Sequence, residues 1–372
     1  MINRIGILSW HYHQNFGSAL QCYALFQTLK SIGKKPIFLN YRNKKGGFLY
    51  KFSLGLLVVG SSIEYHIKRL LENLHIVKKG RWQCNAFQFR RKHLKQTCAF
   101  NDPIKAQKIC HDIDAIICGS DQIWAPNCYD PFYFATFADG KKIRKISYAA
   151  SIGLNDIPSN LIAKYQHNLK DFYAISVRES EGRELLKNKC GIDSTVVLDP
   201  TLLVDVSTYE SIERPVLGIT SPFIFCYFLN EQHTYRSCVE SLAKQKGLQI
   251  VGVSANCYDN TYMKCLSNLG ADHFLWLIHY AQIVLTDSYH GSIFSILYHK
   301  DFWIFQRFQE TDPICQNSRI RQLSSHFSIE KQILPFGISH IDRKPDIDFY
   351  KIDSQLNALR KTSLTFLKEA LK

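Results

Sequence analysis

Short apolar runs, bounded by Gly, Pro or polar turns, alternate along this chain with stretches whose apolar residues recur at helical spacing. Residues 5–10 predict a strand. Residues 18–32 follow as a helix, with Ala19, Tyr23, Phe26 and Leu29 on one face and Gly33 as its stop. A short strand at 37–40, a polar helical stretch at 85–97 and a buried strand at 115–118, ending on Gly119, come next. Further strands are expected at 146–149, 174–177 and 196–198, with helices at 160–170 and 179–188 between them. Asp199-Pro200 breaks this series, and 204–221 has no clear period. A second series then runs strand 223–228, helix 231–246, strands 249–253 and 283–286, helix 292–298 and strand 302–305, before an amphipathic tail at 354–371. The pattern predicts two doubly wound, Rossmann-like α/β domains facing a cleft, at 1–204 and 222–345, with 346–372 forming a helix that packs back.

Composition adds constraints. A chain of 372 residues, 46% hydrophobic, can bury more than one core. Its formal net charge of +14 suits an anionic partner (a phosphate-bearing substrate, an anionic membrane surface or nucleic acid) and equally a solubilising surface. No nucleic-acid recognition motif is present, so nucleic acid is set aside. Part of the charge lies in a basic and apolar insertion at 42–82, where Arg42, Lys44, Lys45 and Lys51 precede the apolar segment 52–63, and Lys68, Arg69, Lys78, Lys79 and Arg81 follow it. That segment is shorter than the roughly 20 residues that span a bilayer. It suits a buried helix or a lid, or a peripheral contact with anionic lipid. The chain opens on a charged residue and a strand, so no signal peptide is expected. None of the twelve cysteines forms a CxxC pair, and Cys22, Cys118 and Cys226 sit inside apolar runs. These features predict reduced thiols in a cytoplasmic protein and no metal site.

Chemistry-bearing residues gather where predicted strands end. The loop His11-Tyr12-His13-Gln14-Asn15-Phe16-Gly17-Ser18 leads into a helix N-terminus, where backbone N–H groups favour anionic oxygens; Asn15 or Ser18 also suits a cap. It lacks the spacing of a dinucleotide loop. Gly119-Ser120-Asp121-Gln122-Ile123-Trp124 places a carboxylate and an aromatic ring together. The pair suits a sugar's hydroxyls and its apolar face, or Asp121 as a base, or simply a turn. Ser176-Val177-Arg178-Glu179 ends a strand on a guanidinium that can grip carboxylate or phosphate, or pair with its neighbour. Thr286-Asp287-Ser288-Tyr289-His290-Gly291-Ser292 crowds a carboxylate, hydroxyls and an imidazole between two apolar runs. His290 suits a general acid or phosphate ligand there, with Asp287 to orient it. Asn317-Ser318-Arg319-Ile320 offers another cation, with Arg321 beside it.

Taken together and in order, these segments, with Tyr148-Ala149-Ala150-Ser151-Ile152-Gly153 and Leu198-Asp199-Pro200-Thr201-Leu202-Leu203, resemble the polysaccharide pyruvyl transferase family. The resemblance implies a GT-B-like architecture, phosphoenolpyruvate as donor, and a sugar acceptor, typically on a lipid-linked oligosaccharide at the inner face of the plasma membrane. The product would be a pyruvate ketal on a bacterial surface polysaccharide such as a capsule or exopolysaccharide. Characterised relatives hold the donor with an Arg on the first domain and an Arg-x-His on the second. Arg178 matches the former and His290 the latter's His, while Ser288 stands where the second Arg would be.

On that footing His290 is expected to donate the proton, and Arg178 and Arg319 to clamp the donor beside Ser288 and Ser292. Asp121, with Asp287, is expected to handle acceptor hydroxyls. Asn15, Gly17, Ser18 and Trp124 are expected to form the acceptor and anion loop. No metal or other cofactor is called for. Two alternatives remain open on sequence: a GT-B-type glycosyltransferase using a sugar nucleotide, and a non-catalytic glycan-binding assembly protein.

Overall fold

The computed structural model describes residues 2–13, 15–42, 86–229, 233–254, 262–266, 269–312 and 315–372. Apart from Arg42, the 42–82 insertion lies outside these residues, and so does the membrane contact expected of 52–63.

Runs that are apolar on both faces become the middle strands of two parallel sheets, since helices cover each side and no face meets water. β1 (Arg4–Leu8), β2 (Lys35–Phe38), β3 (Ala115–Cys118), β4 (Arg144–Ser147) and β5 (Phe172–Ala174) form the first, in the order β2-β1-β3-β4-β5. The expected strand at 174–177 divides here. β5 ends at Ala174, and β6 (Ser176–Val177) pairs instead with β7 (Thr195–Val196) in a small side sheet. The second sheet holds β8 (Phe223–Phe228), β9 (Gln249–Ser254), β10 (Lys264–Cys265), β11 (Ile283–Thr286), β12 (Asp301–Phe305) and β13 (Ile333–Leu334), in the order β10-β9-β8-β11-β12-β13.

Around the first sheet lie α1 (Phe16–Ser31), α2 (Ala86–His93), α3 (Pro103–Ile109), α4 (Ser159–Leu169) and α5 (Ser180–Cys190). α6 (Val206–Glu210), α7 (His233–Lys246), α8 (Ala271–Tyr280), α9 (Tyr289–Leu297), α10 (Ser318–Phe327) and α11 (Phe349–Ala370) follow. α3, α6, α8 and α10 were not anticipated from periodicity. α9 begins three residues before the expected start at 292, because the Ser288 hydroxyl caps it by accepting from Gly291 N at 3.3 Å.

α1 is buried on almost every side, because it packs on its own sheet and also against α8 of the second half. Phe16 stacks on Phe274 with centroids 4.9 Å apart and lies 5.7 Å from Tyr227. One continuous apolar cluster therefore joins the two sheets. α11 packs back as expected: Ser363 Oγ accepts from Leu198 N at 3.0 Å, and Arg360 Nη2 donates to Val204 O at 2.9 Å. Cys22, Cys118 and Cys226 are buried, and the expectation of reduced thiols throughout fails at Cys265, which is disulfide-bonded. Among the described residues no helix is long and apolar enough to cross a membrane.

Candidate active site

The carboxyl ends of β1, β3, β11 and β12 point into one cavity of about 430 Å³ between the sheets. From the first sheet, the β1–α1 loop contributes Trp10, His13, Asn15 and Ser18, and the turn after β3 contributes Asp121 and Gln122. From the second, Asp287, Ser288, Tyr289 and His290 follow β11, Arg307 follows β12, and Arg319 and Arg321 lie on α10.

The turn after β3 aims Asp121 by local backbone geometry. Asp121 has φ of +72°, a left-handed conformation that Asp tolerates better than most residues, and its Oδ1 accepts from Gln122 N at 2.9 Å. Its Oδ2 accepts from Ser18 Oγ at 2.5 Å, tying the end of β3 to the first turn of α1. Asn15 caps that helix, with Oδ1 accepting from Ser18 N at 3.1 Å. Burial alone would raise the Asp121 carboxyl, but the charges of Arg178 and His290 and the bonds from Ser18 and Gln122 hold it below its ordinary range. Asp121 is therefore an anion within the cavity wall.

His290 sits in the first turn of α9, 7% exposed, with Nε2 3.6 Å from Oδ2 of Asp199 on the opposite half. That separation is long for a hydrogen bond but close for charge attraction. The same Asp199 oxygen accepts from Arg178 Nη1 at 2.8 Å, and Oδ1 accepts from Thr201 N at 3.0 Å and from Thr201 Oγ1 at 2.6 Å. Burial opposes the Asp199 charge, yet His290, Arg178 and Thr201 together keep its carboxyl far below the usual range. The sequence marks Asp199 as a strand break and as part of the Leu198–Leu203 family segment, without a role at the site. Its buried position between an Arg and a His has no signal in the local sequence.

Arg178 does not line the cavity. It is buried, it donates from Nε to Glu179 Oε1 at 2.9 Å as well as to Asp199, and its guanidinium lies 4.8 Å from the Tyr289 ring centroid. Both carboxylates outweigh the burial that opposes its charge, so its pKa is raised. β6 pairs with β7 and, through Ala150, with the chain at Asp121, and Asp199 and Glu179 take up the Arg178 guanidinium there. Arg319 lines the cavity, lies 5.9 Å from the centroid of the Tyr289 ring and is held by Gln316. Burial, with repulsion from Arg178 and Arg307, pushes Arg319 down to about 10, and its Nε has no partner among the described residues.

Two further expectations are corrected. Trp124 is 0% exposed, stacks on Phe134 at 5.2 Å and donates Nε1–H to Tyr133 O at 3.1 Å. The left-handed step at Asp121 turns the chain into the core before Trp124, so its ring cannot cover a sugar. Ser292 is also 0% exposed and donates to Ser288 O at 3.0 Å within α9, leaving no hydroxyl for a donor. Gly17 carries no ligand-facing group either. It lets α1 approach His290 so closely that a Cβ there would lie 2.1 Å from Nδ1. Asp287 lines the cavity while its Oδ1 accepts from Leu229 N at 2.6 Å. Trp10 and Arg307 were not singled out from sequence, since neither stands in a motif. Among the described residues no three His, Cys, Asp or Glu side chains group as a metal site would require.

Residues 15–307 match the polysaccharide pyruvyl transferases as a sequence family. The chain belongs to that family. No curated protein matches the sequence. Solved structures with the same GT-B-like fold include UDP-N-acetylglucosamine 2-epimerase from Rickettsia bellii. It is 9% identical, with a TM-score of 0.52 over 100% of this chain and 97% of that one. The Methanocaldococcus jannaschii UDP-GlcNAc 2-epimerase, in complex with UDP-GlcNAc and UDP, is 11% identical with a TM-score of 0.51 over 98% and 99% of the two chains. Anabaena HepE in complex with UDP and glucose is 10% identical, with a TM-score of 0.51 over 98% and 95%. At such identities the likeness is one of fold.

Proposed function

We propose that this family member moves the enolpyruvyl group of phosphoenolpyruvate onto two hydroxyls of a glycan sugar, forming a pyruvate ketal and inorganic phosphate. The observation that carries the reading is the division of the cavity. Arg307 and Arg319 line the second-sheet wall, where Arg321 is paired with Glu310 at 2.8 Å, and ionised Asp121 stands on the first-sheet wall with His290 close by. A small anionic donor bearing a phosphate and a carboxylate suits the former, and hydroxyl groups suit a carboxylate acceptor. Ser288 removes the cation expected two residues before His290, and Arg319 and Arg307 supply positive charge to the same wall.

The route starts with protonation of the donor's methylene carbon, a role suited to His290. The adjacent carbon becomes oxocarbenium-like, and a sugar hydroxyl attacks it and gives up its proton to Asp121. The C–O bond to phosphate then breaks, and a second hydroxyl closes the ketal. Of the two hydroxyl protons, one ends in the new methyl group and one on phosphate. The arginines stabilise charge as phosphate leaves, and no step requires a metal. A net charge of +14 suits a sugar presented on a lipid carrier beside an anionic membrane surface.

The test is incubation with phosphoenolpyruvate and lipid-linked galactose, glucose and mannose acceptors, followed by mass spectrometry and phosphate release. One acceptor should gain pyruvate less water, and His290→Ala should abolish the gain while the circular dichroism spectrum is kept. Nucleotide release from a UDP- or GDP-sugar, with phosphoenolpyruvate untouched, would replace this reading with glycosyl transfer.

A further inference from the structure

Trp10 and His13 form a stacked pair, with centroids 4.6 Å apart and ring planes 2° from parallel, and both line the cavity. They stand on the first-sheet wall, in the same β1–α1 loop that supplies Asn15 and Ser18. The arginines that line the cavity all stand on the opposite wall. Burial, with the nearby charges of Arg90 and Arg42, holds His13 below its ordinary pKa despite Asp121, so the pair presents an uncharged aromatic surface at neutral pH. Tyr12 lies behind it, 4.9 Å from His13, with its hydroxyl 3.2 Å from that of Tyr133. The loop is thereby fixed from below.

An uncharged aromatic wall beside a carboxylate fits one ligand class closely. A pyranose has a face of C–H groups that packs on aromatic rings, and hydroxyls along its edge that a carboxylate and amides can bind. Asp121, Asn15 and Gln122 line the same wall. We infer that Trp10 and His13 form the acceptor subsite, where a hexopyranose lays its C–H face on the stacked rings and directs its hydroxyl edge to Asp121. This rests on the pyruvyl-transfer reading only for the word acceptor; the sugar subsite itself does not need a donor. It moves the sugar platform expected of Trp124, in the turn after β3, to Trp10 and His13 in the β1–α1 loop.

The experiment has two arms, both on the full chain. In the first, saturation-transfer NMR measures binding of methyl β-galactoside, methyl β-glucoside and methyl α-mannoside without phosphoenolpyruvate. At least one glycoside should bind the wild type, Trp10→Ala should weaken it about tenfold, and Trp10→Phe should weaken it less. In the second, phosphate release is followed against acceptor concentration. Trp10→Ala and His13→Ala should raise the acceptor KM and leave the KM for phosphoenolpyruvate unchanged. Glycoside binding that survives Trp10→Ala, no binding of any of the three to the wild type, or an equal loss of donor affinity would overturn the subsite. Sugar binding that depends on Trp10 in a protein that never consumes phosphoenolpyruvate would uphold the subsite and remove the transferase reading. Trp10→Phe keeps an aromatic ring in the wall, so it reports on the subsite if the alanine variant fails to fold.

Discussion

Gly17 stands where two halves of the molecule meet at atomic distance. A methyl group there would lie 2.1 Å from Nδ1, 2.4 Å from Cγ and 2.8 Å from Cβ of His290, so rotation of the imidazole alone cannot relieve the clash. The helix cannot retreat easily either, because Phe16 beside it is stacked on Phe274. Gly17→Ala is therefore expected to cost about 1–3 kcal/mol, in the range of overpacking in a filled core. The double variant Gly17→Ala/His290→Ala removes the ring contacts but keeps the Cβ at 2.8 Å, so it should regain part of that stability in urea denaturation while remaining inactive. If the double variant is no more stable than Gly17→Ala, the contact between α1 and His290 is not the source of the cost.

At the scale of elements, the cavity is made by strand ends, and the elements that form it were legible to different degrees. β3, β8 and β11 match the expected bounds at 115–118, 223–228 and 283–286, because each is a continuous apolar run closed by a polar or glycine turn. The segment at 286–292 was legible for a similar reason. Thr286, the Ser288 cap and Gly291 mark a strand-to-helix turn, and a Cβ at Gly291 would lie 2.4 Å from Thr286 Oγ1. What local pattern does not carry is direction. Trp124 follows Asp121 by three residues yet turns inward, Arg178 directly follows β6 but is held by Asp199 and Glu179, and Arg307 lies in a loop without a motif. α10 was not anticipated, though it brings Arg319 to the cavity and Gln322 to the carbonyl of Arg178 at 2.8 Å.

That placement of α10 has a measurable consequence. Arg319 is crowded by Arg178 and Arg307 as well as buried, so its charge is costly until an anion arrives. A ligand that binds only the folded state raises stability by mass action. Inorganic phosphate and phosphoenolpyruvate should both raise the Tm of the wild type. Arg319→Met should melt no lower without ligand and lose most of the phosphate-dependent rise. An undiminished rise in that variant would take Arg319 out of the anion site.

Across the whole molecule, the two sheets share one apolar cluster, and α11, last in sequence, is bonded to the first half through Ser363 and Arg360. Neither half can lose its packing without exposing the other, so denaturant unfolding of the described body should follow one transition by fluorescence and circular dichroism alike. Its midpoint should depend on pH in a direction fixed by buried imidazoles. His11 is 1% exposed, and burial, aided by Arg42 and Arg90, lowers it from 6.5 to about 3 in the folded state. Between these values the unfolded chain binds a proton that the folded chain excludes, so stability falls as pH drops from 6.5 toward 3. His13 and His326 are lowered in the same sense and add to that slope. Asp121 and Asp199 act at lower pH. Their folded carboxyls lie below the ordinary 3.8, so their stabilising charge is present above that value and is lost as acid protonates them. His11→Gln should consequently flatten the dependence of the urea midpoint between about pH 6.5 and 4.5 while leaving the steeper loss below about pH 4 in place. A variant with the wild-type slope in the upper window would mean that His11 is not the group whose exclusion of a proton sets it. Two separate transitions would mean that the shared cluster does not couple the halves.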